Sequence, residues 1–294
     1  MDGLREALRM TSAPPSLLAR LVTSMVRILI AVVLGIIVLL LLFQNRMIYH
    51  PRRYAAGEGV GNPLLVPISY TTAQGQQQAF YLRPKVLPDQ PPRHLWVVFP
   101  GNGSVALDWV GFLDPPHDPR DGFLVIDYPG YGYCEGSSSP GAIEASAEAA
   151  FTCLAQTLHA QPAVLETNLN LLCNSIGCAT GLNFAVHHPV DRMILVAPFT
   201  SLRDMSRRTV GWPLCWLLLH NYDNRARLRE LAAREHPPRV TILHGTDDTL
   251  VPIAMARELA AMFPGMITFR AIPGATHNTI VSGARPEILS ALAD

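Results

Sequence analysis

Read by hydrophobicity alone, the chain opens on one long apolar block and then changes rhythm. Residues 28–43 carry no charge and are almost all aliphatic, and residues 21–26 extend the block past a single Arg27. Such a run approaches the ~20 apolar residues that cross a bilayer. Arg27, near one end, can reach the headgroups with its charge. No polar face is visible, which argues against a helix packed on the protein's own surface. Gln44-Asn45-Arg46 follows where a signal peptide would show small residues for cleavage. The pattern therefore predicts a tail at 1–20, an uncleaved transmembrane anchor at 21–43 and a juxtamembrane linker at 44–60. Arg5, Arg9, Arg20 and Arg27 precede the block, while Arg46, Arg52 and Arg53 follow it. The positive-inside count tilts towards a cytoplasmic N-terminus, and so towards a lumenal or extracellular domain on a single-pass membrane protein.

Beyond residue 60 the apolar runs shorten and alternate with helical periodicity, without internal repeats. Strands are expected at 64–70, 79–82, 95–99, 123–127, 169–173, 192–197, 240–244 and 267–272. Helices are expected at 141–158, 176–187, 253–262 and 285–292. Leu-Trp-Val-Val-Phe at 95–99 is apolar on both faces, as in a central parallel strand covered by helices. Ser139-Pro140 supplies a capping hydroxyl and a first-turn proline for the helix that follows. An initial hairpin followed by alternating strands and helices predicts an α/β domain over 61–294, with a mostly parallel, doubly wound sheet. About forty residues separate the strands ending at 197 and starting at 240, too many for a simple crossover. A short helical cap over about 199–238 is expected there, above the carboxyl edge of the sheet where such folds bind ligands. Trp212 and Trp216, one helical turn apart, share a face of it. They could line an acyl pocket or dip into a bilayer, but packing of the cap onto the core is the favoured reading.

Composition narrows the partners. Of 294 residues, 49% are hydrophobic and 16% charged, with no net charge, so nothing suggests an electrostatic grip on nucleic acid. The five cysteines, Cys134, Cys153, Cys173, Cys178 and Cys215, show no C-x-x-C spacing. They read as small apolar fillers, with at most two bridged pairs in an oxidising lumen.

The candidate chemistry lies in three loops. Leu-Asn-Leu-Leu-Cys-Asn-Ser-Ile-Gly-Cys-Ala at 169–179 is a strand, a sharp turn and a helix start, with small residues two positions either side of Ser175. That is the small-x-Ser-x-Gly pattern of a nucleophile elbow, whose strained turn excludes bulky neighbours. A serine hydroxyl needs a base to take its proton, and the base needs an orienting carboxylate. Asp248 follows the strand at 240–244 and His277 follows the final strand, the chain order of serine, acid and base that goes with such an elbow. Asp247 is the neighbouring alternative acid, and Asp204 a more remote one. Phe-Pro-Gly-Asn-Gly-Ser at 99–104 forms a glycine-bracketed loop for the oxyanion hole, whose backbone donors are assigned to Asn102 and Ile176. Asp127, Tyr128 and Tyr131 are read as parts of a structural turn around Gly130 and Gly132, and His244 as a support for the acid loop.

These motifs together carry a resemblance. Pro-Gly-Asn-Gly, Asp-Tyr-Pro-Gly-Tyr-Gly (127–132), Asn-Ser-Ile-Gly, Ala-Pro-Phe-Thr-Ser-Leu (197–202), His-Gly-Thr-Asp-Asp-Thr-Leu-Val-Pro and Gly-Ala-Thr-His-Asn resemble the α/β-hydrolase-domain family. Within it the chain is similar to membrane-anchored, single-span members, the Bem-type proteins, through Asn45-Arg46-Met47-Ile48-Tyr49-His50-Pro51 after the anchor. The resemblance implies serine hydrolysis of acyl esters, thioesters or lipids, with some relatives classed as peptidases. Two positions depart from it: Cys173 stands where the elbow has glycine, and Pro100 where histidine precedes the oxyanion-loop glycine. The expected enzyme is thus a membrane-anchored serine hydrolase with catalytic Ser175, Asp248 and His277. It needs no metal or organic cofactor, and its partners are the lipid bilayer and a lipid or acylated small-molecule or protein substrate. The alternatives are a serine peptidase of the same fold and a non-catalytic, membrane-anchored binding protein.

Overall fold

The computed structural model describes residues 16–293 except 56, 59, 60 and 115–117; most of the expected tail lies outside these. The chain divides into two compact units, 1–44 and 45–294. The first is dominated by α1 (Leu17–Ile48), a single helix of 32 residues. At 1.5 Å per residue that is about 48 Å of helix, against a hydrocarbon core of ~30 Å. The helix is therefore long and apolar enough to cross a membrane.

The second unit is built on a sheet whose strands among the described residues number eight, in the order β1-β2-β4-β3-β5-β6-β7-β8. They are β1 (Leu65–Thr72), β2 (Gly75–Leu82), β3 (Leu95–Phe99), β4 (Gly122–Ile126), β5 (Leu169–Asn174), β6 (Val190–Val196), β7 (Arg239–Gly245) and β8 (Ile267–Ile272). β1 and β2 form an antiparallel hairpin, and β2 lies antiparallel to β4. From β4 to β8 every pairing is parallel. β3 and β4 are buried along their whole length because their side chains alternate between two apolar layers. In β3, Leu95, Val97 and Phe99 join one cluster while Trp96 and Val98 join the other.

The first layer is closed by α3 (Pro140–Thr157), α5 (Ile176–Ala185), α7 (Asn224–Ala232) and α8 (Ile253–Met262). The second is closed by α2 (Ala106–Leu113), α9 (Ile280–Gly283) and α10 (Arg285–Ala293). A short α4 (Pro162–Glu166) leads into β5. α3 starts as its sequence requires: the Ser139 hydroxyl accepts the Ala142 amide at 3.2 Å, with Pro140 in the first turn. Between β6 and β7 the long connection is helical, with α6 (Leu202–Val210), a 3₁₀ turn at Leu214–Leu217 and then α7. All five cysteines are free thiols, and all but Cys153 are buried.

Residues 45–55, expected as part of a linker, belong instead to the second unit. Tyr49 is buried in its core, Arg53 donates to the Cys134 carbonyl at 2.6 Å, and Tyr54 donates to Asp127 at 2.7 Å. Beyond Ile48 the stretch lacks regular secondary structure, so its hydrophobic pattern resembles that of a tether. Several of its polar groups nevertheless bond to other parts of the domain.

Candidate active site

Ser175 sits between the end of β5 and the first turn of α5, with φ 53° and ψ −117°. This is a region that non-glycine residues enter only under constraint. The constraint comes from both sides of the turn. The Ser175 amide donates to Val196 at 2.8 Å, and a Cβ at Gly177 would run into the carbonyl oxygens of Phe99 and Pro100. Cys173, the departure from glycine, is accommodated elsewhere: its sulfur fills space that a Cβ at Gly181 would occupy. Gly181, on the facing turn of α5, thus provides the small residue that the elbow lacks at position 173.

The other two loops converge on this serine. Ser175 Oγ lies 2.9 Å from His277 Nε2, and His277 Nδ1 lies 2.7 Å from Asp248 Oδ2. Asp248 is buried and its other oxygen accepts the amides of Leu250 and Val251 at 3.0 and 2.8 Å. The buried His244 ring reaches it as well, at 3.3 Å from Nε2, while that nitrogen also faces the Val251 carbonyl at 2.8 Å. Burial raises the pKa of this carboxyl, but the hydrogen bonds with His244, His277 and the Val251 amide outweigh it. The group is held well below the usual carboxylate range. Asp247, one residue earlier, is exposed and accepts from the Thr246 hydroxyl. Asp204 is taken up by Thr200, Ser201 and Arg225, the last at 2.6 Å. Of the three aspartates considered from sequence, it is Asp248 that reaches the histidine.

The acid and histidine loops are fastened to each other. Asp247 N donates to Ala275 at 3.0 Å, Thr246 N to Ile272 at 3.0 Å, and Gly274 N to the Thr246 hydroxyl at 2.9 Å. A Cβ at Gly245 would meet the Ala275 carbonyl, so glycine there allows the two loops to touch.

The loop at 100–104 lies beside the elbow, where Gly101 leaves room for the Asn174 side chain. Its support comes from the Asp-Tyr-Pro-Gly-Tyr-Gly turn: Tyr128 donates to the Pro100 carbonyl and Tyr131 to Asn102 Oδ1, each at 2.7 Å. Among the described residues, the backbone amides of Asn102 and Ile176 have no protein acceptor. Sequence reasoning placed Tyr128 and Tyr131 in a structural turn without seeing which loop the turn supports.

The cap tryptophans do not pack onto the core. Trp212 and Trp216 are 72% and 63% exposed, and the Arg203 guanidinium stacks 4.6 Å from the Trp216 ring. The 3₁₀ turn that carries Trp216 buries Cys215 instead, leaving the indoles outside.

No family model matches the chain. An uncharacterized protein of Mycobacterium tuberculosis, strain CDC 1551, is 32% identical over 156 residues. That match takes in 53% of this chain and 52% of the relative, so the chain spans about half the length of the curated relatives it matches. Among solved structures, an α/β hydrolase from Vibrio vulnificus superposes with a TM-score of 0.63 at 16% identity, covering 85% of this chain and 92% of that one. The Pyrococcus furiosus esterase Pf2001 gives a TM-score of 0.60 at 12% identity, over 84% and 95%. The fold is that of the α/β hydrolases. In an α/β-hydrolase fold the strand-to-helix turn occupied here by Ser175 is the position from which a nucleophile projects.

Proposed function

We propose that the protein is a serine hydrolase that cleaves acyl esters or thioesters through an acyl-enzyme on Ser175. The single observation that carries this reading is the unbroken hydrogen-bonded chain from Ser175 through His277 to the buried Asp248. In the proposed reaction Ser175 Oγ attacks the carbonyl carbon while His277 Nε2 accepts its proton. Asp248 holds the imidazole with its proton on Nδ1 and offsets the charge that develops on the ring. The carbonyl oxygen takes up the displaced electron pair, facing the amides of Asn102 and Ile176. Collapse of this adduct expels the alcohol or thiol, which takes the proton from His277. Water, deprotonated by the same histidine, then releases the acid and restores the serine.

A lipid or acylated substrate at a membrane, as in the single-span Bem-type members, is the finer part of this reading. Its support is the apolar length of α1 and the exposed indoles of the cap, since tryptophan suits the boundary between headgroups and acyl chains.

A fluorophosphonate probe tests the mechanism. Wild-type protein should be labelled and Ser175→Ala should not, with turnover of p-nitrophenyl acyl esters falling by ~10³-fold or more in the variant. Equal hydrolysis by folded Ser175→Ala protein would refute the mechanism. Faster turnover of a peptide panel than of the acyl esters would transfer the proposal to a peptidase.

A further inference from the structure

Three hydrogen bonds meet on the carboxamide of Asn102. Its Oδ1 accepts from the His50 amide at 2.8 Å and from the Tyr131 hydroxyl at 2.7 Å, while its Nδ2 donates to the Ile48 carbonyl at 2.6 Å. The His50 amide also lies 3.0 Å from the Tyr131 hydroxyl, so amide, phenol and carboxamide close a ring. Ile48 is the last residue of α1, and its carbonyl is one of the helix-end acceptors that no intrahelical donor can reach.

From these contacts the geometry points to the Asn102 side chain as a positioning residue for the oxyanion hole, tying the loop at 100–104 to residues 48–50. This inference rests on the acyl-hydrolysis reading above and adds a part that reading does not contain. A donor stabilises a developing oxyanion only when it is held at hydrogen-bond distance before the charge forms. The loop that presents the Asn102 amide has one internal turn bond, from Ser104 to the Gly101 carbonyl, and is otherwise fixed from outside. Tyr128 fixes its start at Pro100, and the Asn102 carboxamide fixes its middle. Gly103 follows with φ 77°, the left-handed conformation that lets the chain turn away after the clamp.

The chemistry selects asparagine. A carboxamide offers an acceptor with two lone pairs and a donor on the same planar group, and all three contacts here use them. Aspartate would keep the two acceptor contacts but face the Ile48 carbonyl with a second acceptor. Alanine would lose all three. The clamp also explains how a loop with proline at position 100 keeps its place. The Pro100 carbonyl and the Asn102 side chain supply the fixing contacts, and neither requires an N–H at position 100.

The test uses the full-length chain in detergent, with p-nitrophenyl acyl esters as substrate and an alkyl trifluoromethyl ketone as inhibitor. Addition of Ser175 to the ketone carbon, with its proton passing to His277, leaves an oxyanion that samples the hole directly. Asn102→Asp and Tyr131→Phe are expected to lower kcat roughly tenfold or more, short of the ~10²–10³ of a deleted donor. The ketone should bind more weakly by a matching factor, with KM changed less than about twofold. Asn102→Ala should exceed both. Tyr133→Phe serves as control, because its hydroxyl bonds the Ala55 and Glu58 carbonyls and should leave all three readings at wild-type values. Folded Asn102 and Tyr131 variants with wild-type kcat and ketone affinity would overturn the inference, as would losses confined to KM or to the folded fraction. If Asn102→Ala fails to fold, Tyr131→Phe, which removes a single oxygen, decides. Fluorophosphonate labelling separates the two levels. Wild-type labelling at Ser175 with unaltered variants defeats this inference alone, whereas absence of wild-type labelling defeats the hydrolase reading beneath it.

Discussion

Two adjacent aspartates follow β7, and burial separates them. Asp248 is enclosed, accepts two backbone amides and contacts two histidines, whereas Asp247 faces solvent. Asp248→Asn should therefore lower turnover by more than ~10²-fold, because the amide would stabilise the wrong histidine tautomer. Asp247→Asn should stay within about twofold in steady-state kinetics, as a solvent-facing substitution. A different titration belongs to Asp127, buried beside the start of α2. Burial pushes its carboxyl up to about 7, although the Ala106 amide and the Tyr54 hydroxyl bond to it. The folded state then holds a proton between pH ~4 and ~7 that the unfolded chain has released. Stability attributable to this group falls as pH rises through that window and is level above it. In melting curves taken across pH 4–8, Asp127→Asn should lack that decline, whatever its absolute stability.

At the scale of elements, the elbow depends on a pair of residues that sit on different elements. Cys173 ends β5 with its sulfur where a Cβ of Gly181 would lie, so strand and helix approach closely only because the helix residue is glycine. Gly181→Ala should destabilise the protein by about 1–3 kcal/mol, the usual cost of overpacking a core. Cys173→Ala should remove most of that penalty, and a thermal-denaturation double-mutant cycle measures the coupling. Much of this architecture was legible beforehand. β3 and β4 are apolar on both faces, a signature that sequence carries openly, and Ser139-Pro140 marks the start of α3. The expected order of serine, acid and histidine loops also places Ser175, Asp248 and His277 where the structure brings them together. Other elements were not legible, for physical reasons. α2 (Ala106–Leu113) is a short apolar helix whose N-cap position is Val105, so no hydroxyl or proline announces it. Gly181 sits in a small-residue helix where its partner, eight positions earlier, is invisible to periodicity. The Asn102 clamp joins residues 48 to 102, a separation that only the fold closes.

For the whole molecule, the prediction concerns the membrane. If α1 spans it, washing membranes with alkaline carbonate should leave the full-length chain in the pellet. Protease should then cut the domain only when applied from the lumenal or extracellular side of vesicles of known sidedness. Release by carbonate would exclude a span, and digestion from the cytoplasmic side would reverse the orientation. Exposed Trp212 and Trp216 give the domain its own apolar surface, in the connection between β6 and β7.

The embedding of residues 48–54 in the second unit decides where a scalpel can be placed between the apolar helix and the domain. Pattern alone invites a cut anywhere in 44–60, since that stretch reads as a tether. A secreted or soluble form started at residue 56 would lack the Ile48 and His50 contacts to Asn102, the buried Tyr49 ring and the Tyr54 bond to Asp127. One started at Asn45 would keep all of them. A cut that spares the domain therefore falls at the end of the apolar run, at the junction of the two units.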